Sequence, residues 1–342
     1  MSVLYTIALY IALCCAILST TGCTTDDALP PLGIEGYAIT GGRLTHHSEP
    51  TQLKGVNALH TFGADTDELM ASRGVEIVRE FVGNLREQPL EGFAIQDSYG
   101  DWLHPIDALV AQHRAAGRVI MLCPFGWVDS SGQQRLLTGL HPSEQAFYPE
   151  YRERLRAMAA HFAGADDVWI EVWNEPYRWN DSNGYTHGEW YDDMHTLVGD
   201  LRAIPGFDNI IVVPGNSQGQ SEAALLARGA DLQAAYDGLL FDLHAYEQWL
   251  LDQSEAQVRV RMQNLRDAGL PVIFGEVGVI NASGLMPVAP FLAAAQAERA
   301  SVIAWLWKRD GTDQNALLDT NGNPNDASNL AWGSTYLDFL TH

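Results

Sequence analysis

Cysteine is nearly absent from this chain. Of four cysteines in 342 residues, Cys14, Cys15 and Cys23 fall at the N-terminus and only Cys123 follows. The main body therefore has no partner for an internal disulfide. Cys123 lies in an apolar run and reads as a small core residue, not a catalytic thiol. Cationic side chains are scarce too: 20 Lys and Arg face 43 Asp and Glu, a formal charge of -23. Such a surface repels nucleic acid and anionic lipid headgroups and suits a neutral ligand. No glycine-rich phosphate loop follows either Leu59 or Val82, which counts against an open dinucleotide-binding sheet. No convincing internal repeat is present. Metal motifs fail on inspection. His46-His47 with Glu49 reads as turn residues, because adjacent histidines point opposite ways on a strand. Asp319, Asn321, Asn323 and Asn325 alternate like calcium ligands, but Gly322 is misplaced for an EF-hand and Leu330 stands where the closing acid belongs. The expectation is a monomeric domain that needs neither metal nor cofactor.

The chain also lacks any charged side chain from Ser2 to Gly22. Thr20-Thr21-Gly22-Cys23 follows that apolar run and resembles the cleavage and lipidation box of bacterial lipoproteins. The resemblance implies a signal peptide over 1–22, lipid on Cys23, a linker over 23–33 and one catalytic domain over 34–342. It implies an exported protein, lipid-anchored at the cell envelope on the outer membrane or cell surface. No Lys or Arg precedes the run, and Thr20 stands where Leu is usual. An ordinary secretory signal, or an uncleaved anchor helix, stays open.

What is present is a rhythm. Gly36 to Leu53 reads as a small hairpin that plugs the bottom of a barrel. Eight short apolar runs follow: 54–59, 75–82, 118–124, 168–174, 209–215, 239–245, 271–277 and 301–307. Helix-like stretches separate them, over 102–116, 149–162, 190–203, 222–228, 255–268 and 290–299, with 332–340 closing the chain. Gly117, Gly164, Gly229 and Gly269 sit where helix C-caps belong. Strands alternating with helices predict a parallel sheet, and eight units predict a single-domain (β/α)8 barrel. An open doubly wound sheet is the runner-up.

The polar residues at the strand ends carry the chemistry. Val168-Trp169-Ile170-Glu171-Val172-Trp173-Asn174-Glu175-Pro176 reads as a buried strand that Pro176 terminates. Alternation puts Trp169, Glu171, Trp173 and Glu175 on one face. Other strand ends supply Asn57, Arg79, Asn216 with Gln218, His244 with Tyr246, Glu276, and Trp305 with Trp307. In a parallel barrel these share one mouth. Two glutamates facing each other across an aromatic-lined mouth meet the requirement for glycoside hydrolysis by two carboxylates. Arg79, His244 and Tyr246 are placed to hold Glu276 ionised. Trp305 offers a flat face to a sugar ring, and Trp127 is a further candidate platform.

Together these motifs resemble glycoside hydrolase family five, the retaining barrel enzymes with many cellulases and mannanases. Lys54-Gly55-Val56-Asn57 resembles its first strand, Arg79 its second-strand arginine and Asn174-Glu175 its acid/base pair. His244-Ala245-Tyr246 resembles its sixth-strand motif, Glu276 its nucleophile and Trp305 its eighth-strand tryptophan. The resemblance implies a retaining endo-β-1,4-glycanase for cellulose-type glucan or mannan. Glu276 would be the nucleophile, Glu175 the acid/base, and Asn174 would bind the sugar 2-hydroxyl. Arg79, His244, Tyr246, Trp305, Trp127, Asn57 and Trp307 are the remaining substrate-site candidates. One departure stands out. The family's third-strand histidine is replaced by Cys123-Pro124-Phe125-Gly126-Trp127, with His60 and His104 as possible substitutes. The alternatives are an exo-acting or transglycosylating relative and a non-catalytic glycan-binding barrel, which would have lost a carboxylate.

Overall fold

The computed structural model describes residues 35–59, 69–82, 95–96, 102–103, 106–128, 134–327 and 329–342. The expected signal segment with Cys23, and the candidates His60 and His104, lie outside the described residues. Eight parallel strands close into a barrel: β1 (Lys54–Ala58), β2 (Ile77–Val82), β3 (Val119–Pro124), β4 (Val168–Glu171), β5 (Ile211–Pro214), β6 (Leu239–Ala245), β7 (Val272–Val277) and β8 (Ser301–Ala304). Each pairs with the next in sequence, and β8 returns to β1 through Val302↔Lys54, Ile303↔Gly55 and Ala304↔Val56. The expected (β/α)8 barrel is the observed architecture. Its strands read as continuous apolar runs because both faces are covered.

Among the described residues, seven helices of ten or more residues pack outside: α1 (Ile106–Ala115), α2 (Tyr148–His161), α3 (His187–Arg202), α4 (Ala223–Ala235), α5 (Glu255–Asp267), α6 (Ala289–Glu298) and α7 (Trp332–Thr341). Capping boxes start two of them, Thr186 with Glu189 before α3 and Ser254 with Gln257 before α5. Gly117, Gly164 and Gly269 follow α1, α2 and α5 with left-handed φ, as C-caps do. Gly229 does not. It lies inside α4, where an added Cβ would stand 2.8 Å from Leu270 Cδ2. The glycine serves close packing of helix on barrel, so α4 runs about two turns beyond the expected stop. The last helix seals the β8–β1 seam: the Tyr336 hydroxyl donates to Gly55 O at 2.6 Å and to Val302 O at 2.9 Å.

The floor of the barrel is apolar. Leu44, Leu53, Ile77, Val119, Trp169, Val212, Ile273 and Ile303 belong to one buried cluster, with Tyr37 and Ile39 packed against it. The last two come from an antiparallel sheet of Tyr37–Thr40, Arg43–His46 and Glu49–Pro50. The expected N-terminal plug is therefore in place. Apolar side chains fill the barrel interior at the strand starts, and the interior polar groups Asn57, Arg79, Glu171, Asp242, His244 and Glu276 lie nearer the other end.

Candidate active site

Arg79 organises that end. It projects inward from β2, fully buried. Its Nε and Nη2 grip Glu171 at 2.7 and 3.1 Å. Nη1 donates to Glu276 at 2.7 Å and to Asn57 Oδ1 at 3.0 Å. Nη2 also donates to Asn174 Oδ1 at 2.9 Å and lies 3.2 Å from Cys123 Sγ. A planar fork with five donors suits so many acceptors in fixed directions.

Glu276 reaches this fork through an irregularity in β7. Ile273 belongs to the interior cluster, so simple alternation would aim Glu276 outward. The register between β6 and β7 slips by one residue: Leu243 pairs with Phe274, but His244 pairs with Glu276. Gly275 is the extra residue of this bulge, and bulges re-aim side chains. Its N–H donates to Asp242 Oδ1 at 2.5 Å, and its carbonyl accepts from Asn57 Nδ2 at 2.8 Å. A Cβ there would stand 2.2 Å from Asp242 Oδ2, so the position demands glycine.

Glu175 arrives by a different route. The β4 ladder stops at Glu171, and the chain then leaves the alternation expected of it. Trp173 does not share the interior face with Glu171. It packs against Tyr151 at 4.8 Å and Phe147 at 6.4 Å between ring centroids, on the α2 side. Glu175-Pro176 then pairs with Thr138–Leu140 outside the barrel sheet. Glu175 N donates to Leu137 O at 3.1 Å, and Tyr177 N to Leu140 O at 2.8 Å. This second pairing turns Glu175 into the mouth.

The two glutamates meet at His244. Its Nδ1 lies 2.8 Å from Glu175 Oε1 and 3.7 Å from Glu276 Oε2. One oxygen of each carboxylate and one ring nitrogen lie within 4.8 Å of one another. The Tyr246 hydroxyl donates to Glu276 Oε2 at 2.9 Å. Glu175 is the more open of the pair, its side chain 16% exposed against 6% for Glu276.

Burial is the largest influence on the Glu276 carboxyl and raises it. His244, Arg79 and the Tyr246 hydroxyl oppose that, Glu175 adds to it, and the balance stays above the ordinary carboxylate value. The three expected partners are thus present, but burial outweighs their pull. For His244, burial opposes the charged ring, yet Glu276, Asp242 and Glu175 overcome it and hold the imidazole well above its usual range. Burial, then Glu276 and Glu175, push the Tyr246 phenol up, so it stays a donor.

Three of the sequence candidates are buried among protein neighbours. Asn57 is fully buried, and its amide is engaged by Arg79, Gly275 O and Ala304 O, so it braces the site from below. Trp127 is 1% exposed and stacks on Phe147 at 5.1 Å. It sits in a hairpin of Gly126–Val128 with Gln134–Leu136 and packs inward instead of forming a platform. Trp307 is buried also. The β8 ladder ends at Ala304, so strand alternation no longer pairs it with Trp305. Trp305 itself is half-buried, framed edge-on by Phe81 at 5.3 Å and by Phe125 at 6.3 Å.

Arg79 and His244 are both fully buried, and their side chains face the two glutamates. Cys123 belongs to the site's rear wall and not merely to the core. Burial pushes its thiol well above the ordinary range, the setting of an unreactive buried cysteine. Asp242 and Thr138 went unassigned from sequence. Thr138 Oγ1 accepts from Asn174 Nδ2 at 3.3 Å. Asp242 shares a face with His244 by simple alternation, a signal that points to it.

A family model described as Cellulase (glycosyl hydrolase family 5) matches residues 44–311. The chain belongs to glycosyl hydrolase family 5. The mannan endo-1,4-beta-mannosidase of Streptomyces lividans is 24% identical over 314 residues, covering 88% of this chain and 73% of that protein. The catalytic domain of a mannanase from Streptomyces sp. SirexAA-E has the same fold, with a TM-score of 0.64, 22% identity and coverage of 93% and 94%. The catalytic domain of a Thermobifida fusca endoglucanase has a TM-score of 0.61 at 14% identity, with coverage of 90% and 97%. A member of this family is a glycoside hydrolase, which fits two carboxyl groups converging on one imidazole.

The raised Glu276 carboxyl yields a prediction. If Glu276 is the attacking group it must be ionised, and the acid limb of kcat/KM then falls above the ordinary carboxylate range. Tyr246→Phe removes a donor that favours the ionised form. The acid limb is expected to move up by about one pH unit, with little change in melting temperature. A pH–rate profile unmoved by the substitution would contradict this account of Glu276.

Proposed function

We propose that this chain is a retaining endo-β-1,4-glycanase acting on mannan or cellulose-type glucan. The observation that carries the reading is the convergence of Glu175 and Glu276 on His244, with an oxygen of each within 4.8 Å of the other, in keeping with the shorter of the two separations that glycosidases use. Retaining glycosidases hold the pair about 5–5.5 Å apart, whereas inverting enzymes leave about 6.5–9.5 Å for a water. Mannan stands first, because the relative matched over most of both chains is named for mannan. The acidic surface suits such a neutral polymer.

In the first step a Glu276 oxygen attacks the anomeric carbon and the bond to the leaving oxygen breaks. Glu175 gives its proton to that oxygen. In the second step a water gives a proton to Glu175 and its hydroxide to the anomeric carbon, and the ester to Glu276 breaks. Arg79 and Tyr246 orient Glu276 for attack. Asn174 Oδ1 faces Arg79 and its Nδ2 lies toward Thr138, which fixes the amide for a sugar 2-hydroxyl. Trp305 supplies the apolar floor.

The enzyme acts at the cell envelope, held there by lipid on Cys23. The support is the Thr20-Thr21-Gly22-Cys23 box after an uncharged apolar run. Cys23→Ser is expected to release activity from the membrane fraction; unchanged partitioning would remove the anchor from this reading.

Reducing-sugar release from galactomannan, carboxymethyl cellulose, mixed-linkage glucan and xylan tests the activity. Glu276→Ala is expected to lose turnover by on the order of 10⁴-fold or more while the barrel stays folded. Glu175→Ala is expected to keep an initial burst with activated aryl glycosides and then stall. Wild-type turnover in the Glu276 variant, or no burst in the Glu175 variant, would overturn the assignments.

A further inference from the structure

Among the buried acids that the mechanism leaves unused, Asp242 stands nearest to His244. Asp242 lies inside the barrel on β6, fully buried, two residues before His244. Its Oδ1 accepts from Gly275 N at 2.5 Å, which satisfies the bulged amide of β7. Its Oδ2 lies 3.3 Å from His244 Nε2 and 3.9 Å from Arg79 Nε. The Arg79 donors are already committed to Glu171, Glu276, Asn57 and Asn174, so the nearest available cation for Asp242 is His244.

His244 thus has a carboxylate at each ring nitrogen: Asp242 at Nε2, and Glu175 with Glu276 at Nδ1. A neutral imidazole donates from one nitrogen only. Nε2 and Asp242 Oδ2 are both buried with no other hydrogen-bond partner among the described residues, so Asp242 meets the ring as an ion pair, and acidic groups at both nitrogens favour the doubly protonated cation. Glu171 and Arg79 are the remaining charges close by, and they largely neutralise each other through their two-point contact.

We propose that Asp242 is a positioning residue that locks His244 as an imidazolium, and that this cation serves whichever of the two glutamates carries the negative charge. The proposal deepens the retaining reading and rests on it. Before cleavage, Glu276 is the carboxylate and Glu175 holds a proton. Once the glycosyl-enzyme forms, Glu276 is a neutral ester and Glu175 is the carboxylate. One unit of negative charge has moved from one partner of Nδ1–H to the other. A fixed cation between them, held from behind by Asp242, stabilises both states without rearrangement. The same side chain holds the bulge that aims Glu276, so it sets the position of one glutamate and the counter-charge of both.

Asp242→Asn separates these roles, because its Oδ1 still accepts from Gly275 N while the charge is gone. Removing that negative charge loosens the His244 proton, so the alkaline limb of kcat/KM should fall by about one pH unit or more. KM should change little. In the wild type, nitrogen-15 NMR of labelled histidine at neutral pH should show protons on both ring nitrogens of His244. A variant profile merely scaled down without a shift would reduce Asp242 to a structural brace. A neutral His244 ring in the wild type would overturn the proposal even if the variant failed to fold. Inactivity of the wild type on every glycan would count against the function alone, since the His244 spectrum decides the charge in either case.

Discussion

Arg79 is the constraint on which the rest of the site depends. A guanidinium with no access to water must find acceptors for its donors, and this one finds them on Glu171, Glu276, Asn57, Asn174 and Cys123. Those acceptors come from β1, β3, β4, the turn after β4, and β7. A buried ion pair of this kind adds little net stability, since desolvation consumes most of the attraction. Breaking it is another matter, costing about 3–5 kcal/mol because a charge is left buried and alone. The arrangement therefore fixes geometry far more than it stabilises the fold. Each acceptor is held at the distance and direction that a planar fork allows.

Around that fork the fold places two carboxylic acids in different surroundings. Glu276 is enclosed, gripped by Arg79 and Tyr246, and raised by burial. Glu175 stands closer to solvent on a segment that has left the barrel sheet. One acid is built into the wall and the other is presented from a turn. That difference suits a nucleophile that must not move and an acid/base that must exchange protons with water and leaving group. His244 joins them, and Asp242 stands behind it.

The barrel was legible because its signal is repeated. Eight apolar runs and the intervening amphipathic stretches each predict little alone, but their alternation leaves few architectures. Glu175, Glu276, Arg79, His244 and Tyr246 were legible because strand ends in a parallel barrel converge. Misreadings arose where the chain departs from regular geometry. Alternation was extended past Glu171 to Trp173, and past Ala304 to Trp307, after the ladders had stopped. Gly229 was read as a stop because local sequence cannot show that Leu270 crowds the far side of the helix. The bulge at Gly275 was invisible for the same reason: it is a relation between two strands, and only Asp242 and Asn57 make it stable. Trp127 had the composition of a sugar platform but the neighbours of a core residue.

The most direct test of the central claim is covalent. Incubation with activated 2-deoxy-2-fluoro mannosides and glucosides should trap the glycosyl-enzyme, because fluorine slows its hydrolysis more than good leaving groups slow its formation. Peptide mass spectrometry is expected to find the sugar on Glu276, within the segment Phe274-Gly275-Glu276-Val277. Label on Glu175 or Glu171, or release of inverted product with no adduct, would contradict a nucleophile aimed by Arg79 through the Gly275 bulge.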